Sequence, residues 1–240
     1  MKMLFAGASL VAFAALAACS PAPAPEPAAP AAETAAPEAA ATPAPVAITV
    51  PAGEYVSDPT HSSVTFKVQH MGLAYYTLGF KTFDATVTFD PANLTASKVT
   101  AKIAAADIQP FYKGDYKGTH AQSKFASWED DLANSTNFLD AKAFPEITFV
   151  STAVEVTGAR TGKVTGELTL KGVTKPVVLD VTFAGENPSH PMAKGPAIGF
   201  SATGSFKRSD YGLSYLVQQG MVGDDVSFAI EGDFLQKPAG

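Results

Sequence analysis

Apolar and polar residues alternate along most of the chain after residue 53. In the stretch from Gly53 to Gln69, the side chains of Val64, Phe66 and Val68 fall on one face of an extended chain, and polar residues fall on the other. The same period of two returns in seven later segments, at residues 82–89, 99–105, 147–149, 164–170, 177–183, 198–206 and 226–234. The pattern predicts eight strands, each with one apolar and one solvent-facing side.

Eight such strands with almost no helical pattern between them predict an all-β fold. Antiparallel hairpins are the simplest way to connect them, and closing the sheet into a barrel removes its exposed edges. Residues 71–78 contain a glycine and two tyrosines without clear alternation, and we expect an irregular connection there. The sequence therefore predicts an eight-stranded antiparallel barrel, whose interior is just wide enough for side chains or one slender ligand.

One helix is predicted inside this β pattern, near Thr119–Leu132. Thr119 and Gln122 have the spacing of a capping box at the start of a helix. The apolar residues that follow recur at spacings of four, three and four, as in one stripe of a helix: Ala121, Phe125, Trp128 and Leu132. Such a helix could plug one end of the barrel or form a lid over a cavity mouth, and the sequence leaves both open.

The first residues predict export from the cytoplasm. Residues 1–18 read as a signal peptide, in which Lys2 supplies the positive charge and an apolar run follows that is too short to span a bilayer. The motif that ends at Cys19 resembles the lipobox of bacterial lipoproteins, which implies that Cys19 is acylated, for example with palmitate. Ser20 follows, where an Asp would favour the inner membrane, so we expect a periplasmic protein anchored to the outer membrane. An ordinary cleavage site with a chance cysteine is the alternative.

Residues 19–48 are predicted to be a disordered Ala/Pro-rich tether. Eight prolines lie between positions 21 and 45, and a segment of this composition cannot bury enough apolar surface to fold. At about 3.1 Å per residue, the Pro-rich stretch from Ser20 to about Pro45 reaches roughly 80 Å. A spacer is the simplest role, and a Pro-rich ligand for a partner is the alternative. The barrel domain is assigned to residues 49–237.

Composition narrows the function of this domain. The chain carries a formal net charge of −6 and has no run of Lys or Arg, which argues against nucleic acid as a partner. Cys19 is the only cysteine, so no intramolecular disulfide can form. Fourteen of the sixteen phenylalanines follow the tether. The predicted barrel therefore has a large aromatic lining.

Six segments carry motifs that are similar to those of a known family: residues 58–72, 79–83, 144–152, 166–177, 208–212 and 222–226. In this order they resemble the YceI-like family, which comprises periplasmic, lipocalin-like proteins that bind polyisoprenoids. The resemblance implies a lipocalin-like barrel with a long isoprenoid chain in its cavity. The sequence departs from the family at Leu132–Ala133, where His-Leu is common, so the helical segment is expected to be built differently.

The inward positions of the predicted strands suit such a ligand, because an isoprenoid tail offers only CH groups for contact. The candidate ligand-binding residues are Val64, Phe66, Val68, His70, Phe83, Val87, Phe89, Ile103, Phe149, Leu168, Leu170, Leu179, Phe183, Phe200, Phe206 and Phe228. Small inward residues are expected to leave residual space, namely Ala101, Ala105, Ala202, Gly166 and Gly204.

Polar candidates are few, and each has a structural alternative. His61 and His70 flank the strand that starts the family motif and could contact a ligand head group or be satisfied rim residues. Arg208 could tie down the neighbouring loop or guard the cavity rim. No histidine pair has metal-ligand spacing within one strand or helix, so no metal is predicted.

These observations predict a non-enzymatic protein without a cofactor that stores or transports a polyisoprenoid, such as a polyprenyl quinone or polyprenyl phosphate. No nucleophile elbow and no phosphate-binding glycine loop occur in the sequence, which disfavours catalysis. Two alternatives stay open. One is a structural or stress-protective envelope lipoprotein whose barrel is filled by its own phenylalanines, and the other is an enzyme that acts on an isoprenoid head group.

Overall fold

The computed structural model describes residue 44 and residues 46–238, so the predicted signal peptide, Cys19 and most of the tether lie outside the described residues. The strands are β1 Gly53–Ser57, β2 Ser63–His70, β3 Ala74–Phe80, β4 Asp84–Phe89, β5 Lys98–Ala104, β6 Ile108–Pro110, β7 Glu146–Val156, β8 Thr161–Leu170, β9 Val173–His190, β10 Gly195–Lys207 and β11 Val222–Gln236. Two short helices, α1 Tyr116–Thr119 and α2 Trp128–Asn134, lie between β6 and β7. Among the described residues, no helix is long and apolar enough to cross a membrane.

The eleven strand segments close into a barrel of eight strands, which confirms the predicted fold. β1 and β2 lie end to end along the same edge of β11, and β1 also pairs with β4 while β2 pairs with β3. β5 and β6 likewise lie end to end, against β4 and β3. The remaining strands follow as an antiparallel meander, in the order β5, β7, β8, β9, β10, β11.

The prediction of an irregular connection at residues 71–78 was wrong, because β3 begins at Ala74 and forms a hairpin with β2. Met71 and Gly72 both have positive φ values, of 52° and 70°, which lets the chain reverse within three residues. Tyr75 and Tyr76 then pair with Gln69 and Val68. The connection between the predicted strands at residues 177–183 and 198–206 is also shorter than the pattern implies, since β9 continues to His190.

The prediction of one continuous helix over Thr119–Leu132 was wrong. Thr119 ends α1, and the backbone is irregular until Ser127, whose side chain accepts a hydrogen bond from the Asp130 amide and caps α2. Three acidic residues in the first turn also favour this start, because they interact well with the helix dipole. The Lys117 ammonium donates to the carbonyls of Ser123 and Phe125, which a continuous helix would need for its own hydrogen bonds.

Two large core clusters lie toward opposite ends of the barrel. The cluster at the end where β1 begins includes Tyr55, which is fully buried, and packs against Val46 and Ile48. The cluster at the other end includes Leu132 and Ala133 of α2. We call these the N-terminal end and the helical end. Val46 is thus already packed, three residues before the predicted domain boundary, because apolar residues alternate from there to Val50.

Candidate functional site

A cavity of about 890 Å³ runs through the barrel between its two ends. Its wall is built from inward side chains of the barrel strands, and most of these are aliphatic or aromatic. This volume lies in the upper part of the usual range for small-molecule sites, which is about 300–1,000 Å³. Eleven phenylalanines therefore line the cavity without filling it.

All sixteen candidate ligand-binding residues line this cavity. The alternation of side chains along each strand explains this result, because every second residue of a barrel strand faces inward. In β2, for example, Val64, Phe66, Val68 and His70 all reach the cavity. Their role as ligand contacts stays a prediction.

The expectation of residual space at every small inward residue was wrong at three positions. At Gly166 and Gly204, a β-carbon would lie 2.3 Å from the ring of Phe149 and 2.4 Å from the ring of Phe228, so cross-strand aromatic rings occupy that space. Ala105 packs into the cluster at the helical end and does not line the cavity. Ala101 and Ala202 do line the cavity.

The segment from Val46 to Val50 covers the N-terminal end of the cavity. Val46 and Ile48 line the cavity, and the Val46 amide donates to the Ala159 carbonyl at 2.9 Å. The Glu186 carboxylate accepts hydrogen bonds from the amides of Thr49 and Val50 at 2.9 Å and 3.2 Å. Partial burial raises the pKa of Glu186, but these hydrogen bonds outweigh it and hold the pKa below its usual value. The carboxylate therefore stays charged and pins the segment.

Aromatic and polar side chains line the helical end of the cavity. The Trp128 ring stacks on the His120 ring, with 5.8 Å between the ring centroids. It also packs edge-to-face against the Phe138 ring, at a centroid distance of 5.4 Å. Phe138 packs in the same way against Tyr215, at a centroid distance of 5.6 Å. The Trp128 indole donates a hydrogen bond of 3.1 Å to the Tyr76 hydroxyl. Burial raises the pKa of Tyr76, so this phenol stays protonated at neutral pH. The helical end thus presents a protonated phenol and several aromatic rings to the cavity.

The short helix α2 is a packed part of the wall. Leu132 lines the cavity, and Leu132 and Ala133 are both buried against β6 and the turn before it. The carbonyls of these two residues accept hydrogen bonds from the amides of Leu139 and Ala141. Of the two alternatives that the sequence left open, this packing favours a plug over a movable lid.

Arg208 organises the loop that borders the helical end. It is 7% exposed, and its guanidinium donates to the carbonyls of Gly223, Leu213, Tyr215 and Val222 at 2.7 to 3.2 Å. Burial lowers the pKa of Arg208, but no group of this basicity loses its proton near neutral pH. Arg208 thus ties down the neighbouring loop, as one of the two sequence interpretations proposed, and it also reaches the cavity wall.

His61 does not reach the cavity, whereas His70 does. The Asp58 carboxylate accepts from the backbone and hydroxyl of Thr60 and lies 2.7 Å from His61 Nδ1, within the turn that joins β1 to β2. The hydrogen bond with His61, followed by those from Thr60, lowers the pKa of Asp58 to about 2. The same hydrogen bond raises the pKa of His61. The start of the family motif therefore has a structural role in a turn.

We expect Asp58→Asn to lower the pKa of His61 toward the ordinary value of a histidine, because the hydrogen bond with the Asp58 carboxylate is the main cause of the raised pKa. Because the folded-state pKa of His61 is raised, its contribution to stability is complete below pH 6.5 and is lost as the pH rises through the folded-state pKa. NMR titration of the His61 ring would measure the shift. Asp233→Asn removes a weaker influence on His61 and is the control. An unchanged His61 pKa in Asp58→Asn would contradict this account.

Within residues 46–238, no three His, Cys, Asp or Glu side chains come together in a geometry that could hold a metal ion. Apart from tyrosines, the ionisable residues that border the cavity are divided between its two ends, with Glu155 and Arg160 toward the N-terminal end and His70, His120, Asp131 and Arg208 toward the helical end.

Sequence reasoning missed part of the cavity wall. Among the residues it did not assign are Tyr75, Tyr76, Tyr112, His120 and Tyr215 at the helical end and Val46 and Ile48 at the N-terminal end. The alternation of Val46, Ile48 and Val50 was a usable signal for the latter. The aromatic residues lie in loops and a short hairpin, where periodicity carries no information on which way a side chain points.

The chain is similar in sequence to a known protein family and to several of its members. A family model described as YceI-like domain matches residues 55–234. A UPF0312 protein from Pseudomonas savastanoi pv. phaseolicola is 38% identical over 164 residues, which cover 68% of this chain and 77% of the relative. A UPF0312 protein from Shewanella sp. strain ANA-3 is 33% identical over 183 residues, which cover 75% of this chain and 87% of the relative.

Two solved structures share the fold. The crystal structure of Burkholderia cenocepacia BcnA matches with a TM-score of 0.59 and 26% identity, over 74% of this chain and 98% of that protein. A Campylobacter jejuni YceI protein matches with a TM-score of 0.52 and 27% identity, over 72% of this chain and 91% of that protein. Both matches extend over nearly the whole of the solved protein.

Proposed function

Because the chain belongs to the YceI-like family and its barrel encloses a long apolar cavity, we propose that it binds a long-chain polyisoprenoid and stores or transports it at the bacterial cell envelope. The cavity carries this proposal. It has a volume of about 890 Å³, its middle is lined by Val, Leu, Ile and Phe, and its polar groups lie toward the ends. A long tail with no hydrogen-bonding groups fits such a wall.

The energetics favour exchange with a membrane over uptake from water. Burying eight five-carbon units at about 0.8 kcal/mol per carbon would release roughly 30 kcal/mol relative to water, which exceeds the limit of about 20 kcal/mol seen for non-covalent binding. A free polyisoprenoid resides in a bilayer, so the cavity competes with lipid and the net preference is small. A binding protein with a small preference can both load and release its ligand.

The helical end favours an uncharged head group. Among the described residues, no lysine lines the cavity, and the Arg208 guanidinium is already bonded to four backbone carbonyls. The Asp131 carboxylate also borders the cavity and would repel an anion. Aromatic rings are abundant there and offer surfaces on which a planar ring can stack. We therefore favour a polyprenyl quinone over a polyprenyl phosphate.

The cellular location is proposed from the sequence. The lipobox-like motif implies acylation of Cys19 and attachment to a membrane on the periplasmic side, with Ser20 favouring the outer membrane. The Pro-rich segment then serves as the spacer between the anchor and the barrel. This arrangement would hold the barrel close to the bilayer that contains its ligand.

Native mass spectrometry tests the proposal, together with organic extraction of the same sample. Residues 20–240 would be exported to a bacterial periplasm behind another signal peptide and purified without harsh detergent. We expect one stoichiometric mass increment, which extracts as a prenyl quinone. A bare protein mass that persists after incubation with prenyl quinones and prenyl phosphates would favour the structural alternative. Conversion of an added prenyl compound would favour the enzyme.

A further inference from the structure

Exposed apolar side chains are concentrated around one end of the cavity. Nine large apolar side chains are exposed among the described residues, and six of them belong to segments at the helical end. These six form what we call the mouth patch: Met71, Leu73, Tyr75, Phe111, Tyr215 and Met221. The other three are dispersed, with Val150 and Val178 on strands and Met192 in the turn between β9 and β10.

Backbone pairing brings the segments of the mouth patch together. The Met71 amide donates to the Met221 carbonyl at 2.8 Å, which joins the β2–β3 turn to the loop before β11. Phe111 directly follows β6, which pairs with β3 and runs toward the same end of the barrel. Tyr75, Tyr215 and Met221 are exposed and also line the cavity, so the cavity reaches the protein surface within the patch.

We propose that the mouth patch docks on the surface of a lipid bilayer, so that a prenyl chain passes between membrane and cavity without crossing water. This inference rests on the proposed function, because it gives the route by which that ligand is exchanged. Soluble proteins rarely expose a contiguous apolar patch that has no partner. The cargo of this cavity resides in bilayers, and the opening of the cavity is the part of the protein that must meet them.

The chemistry of the patch fits a bilayer interface. All six members are uncharged, and the two tyrosines have the amphipathic character that places such rings at the level of lipid head groups. The segment that follows Phe111 carries exposed charges of both signs, namely Lys113, Asp115, Lys117, Lys124 and Glu129. The patch therefore requires apolar contact and no particular lipid charge.

The predicted tether allows this orientation. The chain enters the barrel at the N-terminal end, where Val46 bonds to Ala159, and the patch lies at the opposite end. β11 spans this distance with 15 residues, or about 50 Å of strand. The segment from Cys19 to the barrel could reach roughly 80 Å. An anchor at Cys19 would thus let the mouth patch meet the same membrane.

A fluorescent label on each end of the barrel tests the proposal. In the full chain carrying Cys19→Ser, the environment-sensitive dye NBD would be attached through Leu73→Cys or, as the matched control, Met192→Cys. Both positions are 84% exposed and lie in hairpin turns at opposite ends of β11, so neither substitution disturbs the core. Phosphatidylcholine vesicles are then added. We expect a several-fold rise in emission and a shift to shorter wavelength at position 73, and no change at position 192.

Equal responses at both positions, or no response at position 73, would overturn the docking proposal. A rise at position 73 that depends on protein concentration and needs no vesicles would overturn it too, and would assign the patch to a second copy of the chain. The result is separable from the ligand proposal. Prenyl binding without insertion at position 73 rejects docking alone, whereas insertion by a protein that binds no prenyl compound rejects the cargo.

Discussion

Replacing Arg208 by alanine is expected to lower the free energy of unfolding by about 3 to 5 kcal/mol, because several buried carbonyls lose their hydrogen-bond donor together. The guanidinium is 7% exposed and holds four backbone carbonyls of the loop that borders the helical end. Without it, these carbonyls lose their donor, and each buried unsatisfied group costs about 1 to 3 kcal/mol unless water reaches it. Urea unfolding would measure the loss. Arg208→Lys is expected to recover less than half of the lost free energy of unfolding. An ammonium group cannot reproduce the planar set of N–H donors of a guanidinium.

The neighbouring Lys207 provides the control for this experiment. Its ammonium forms an exposed ion pair with Asp225 at 3.0 Å, and exposed pairs contribute little to stability. Lys207→Ala should therefore change the free energy of unfolding only slightly. If Arg208→Ala and Lys207→Ala have similar effects, the loop does not depend on the guanidinium, and the family motif at this position needs another explanation.

The barrel could be predicted from the sequence because the period of two persists in every long strand. A residue such as Phe66 alternates with polar neighbours, and its inward direction follows from that alternation. All sixteen residues chosen in this way line the cavity. The hairpin of β2 and β3 was missed because its start depends on positive φ values at Met71 and Gly72, which periodicity does not report.

The helical segment and the residual space were harder to predict because both depend on tertiary contacts. The apolar spacing from Ala121 to Leu132 fits a helix, but Ser127 and the Lys117 ammonium shift the start by eight residues. Gly166 and Gly204 suggested free volume, and the structure places the Phe149 and Phe228 rings there. Whether a small residue leaves space depends on the side chain of its cross-strand neighbour. The position of that side chain is set only by the folded barrel.

Ala202→Phe is expected to reduce prenyl binding at least tenfold, a loss of about 1.4 kcal/mol or more. Ala202 lines the cavity near the middle of the barrel, where β10 pairs it with Val181 of β9 and Ile230 of β11. A phenyl ring at this point would block the path of a long chain. The cavity of about 890 Å³ can accept the ring, so the free energy of unfolding should change by less than about 1.5 kcal/mol.

Thr203→Phe is the matched control, because Thr203 is the next residue on β10 and points to the exposed face of the barrel. It adds a ring to the same strand, so any general effect of the substitution on the sheet is shared by both variants. Native mass spectrometry of the two variants would compare their prenyl occupancy, and urea unfolding would confirm that both are folded. Full occupancy in Ala202→Phe would mean that the ligand does not pass through the middle of the barrel. Loss of occupancy in Ala202→Phe with retention in Thr203→Phe would place the chain of the ligand inside the barrel, because the two side chains differ only in the face from which they project.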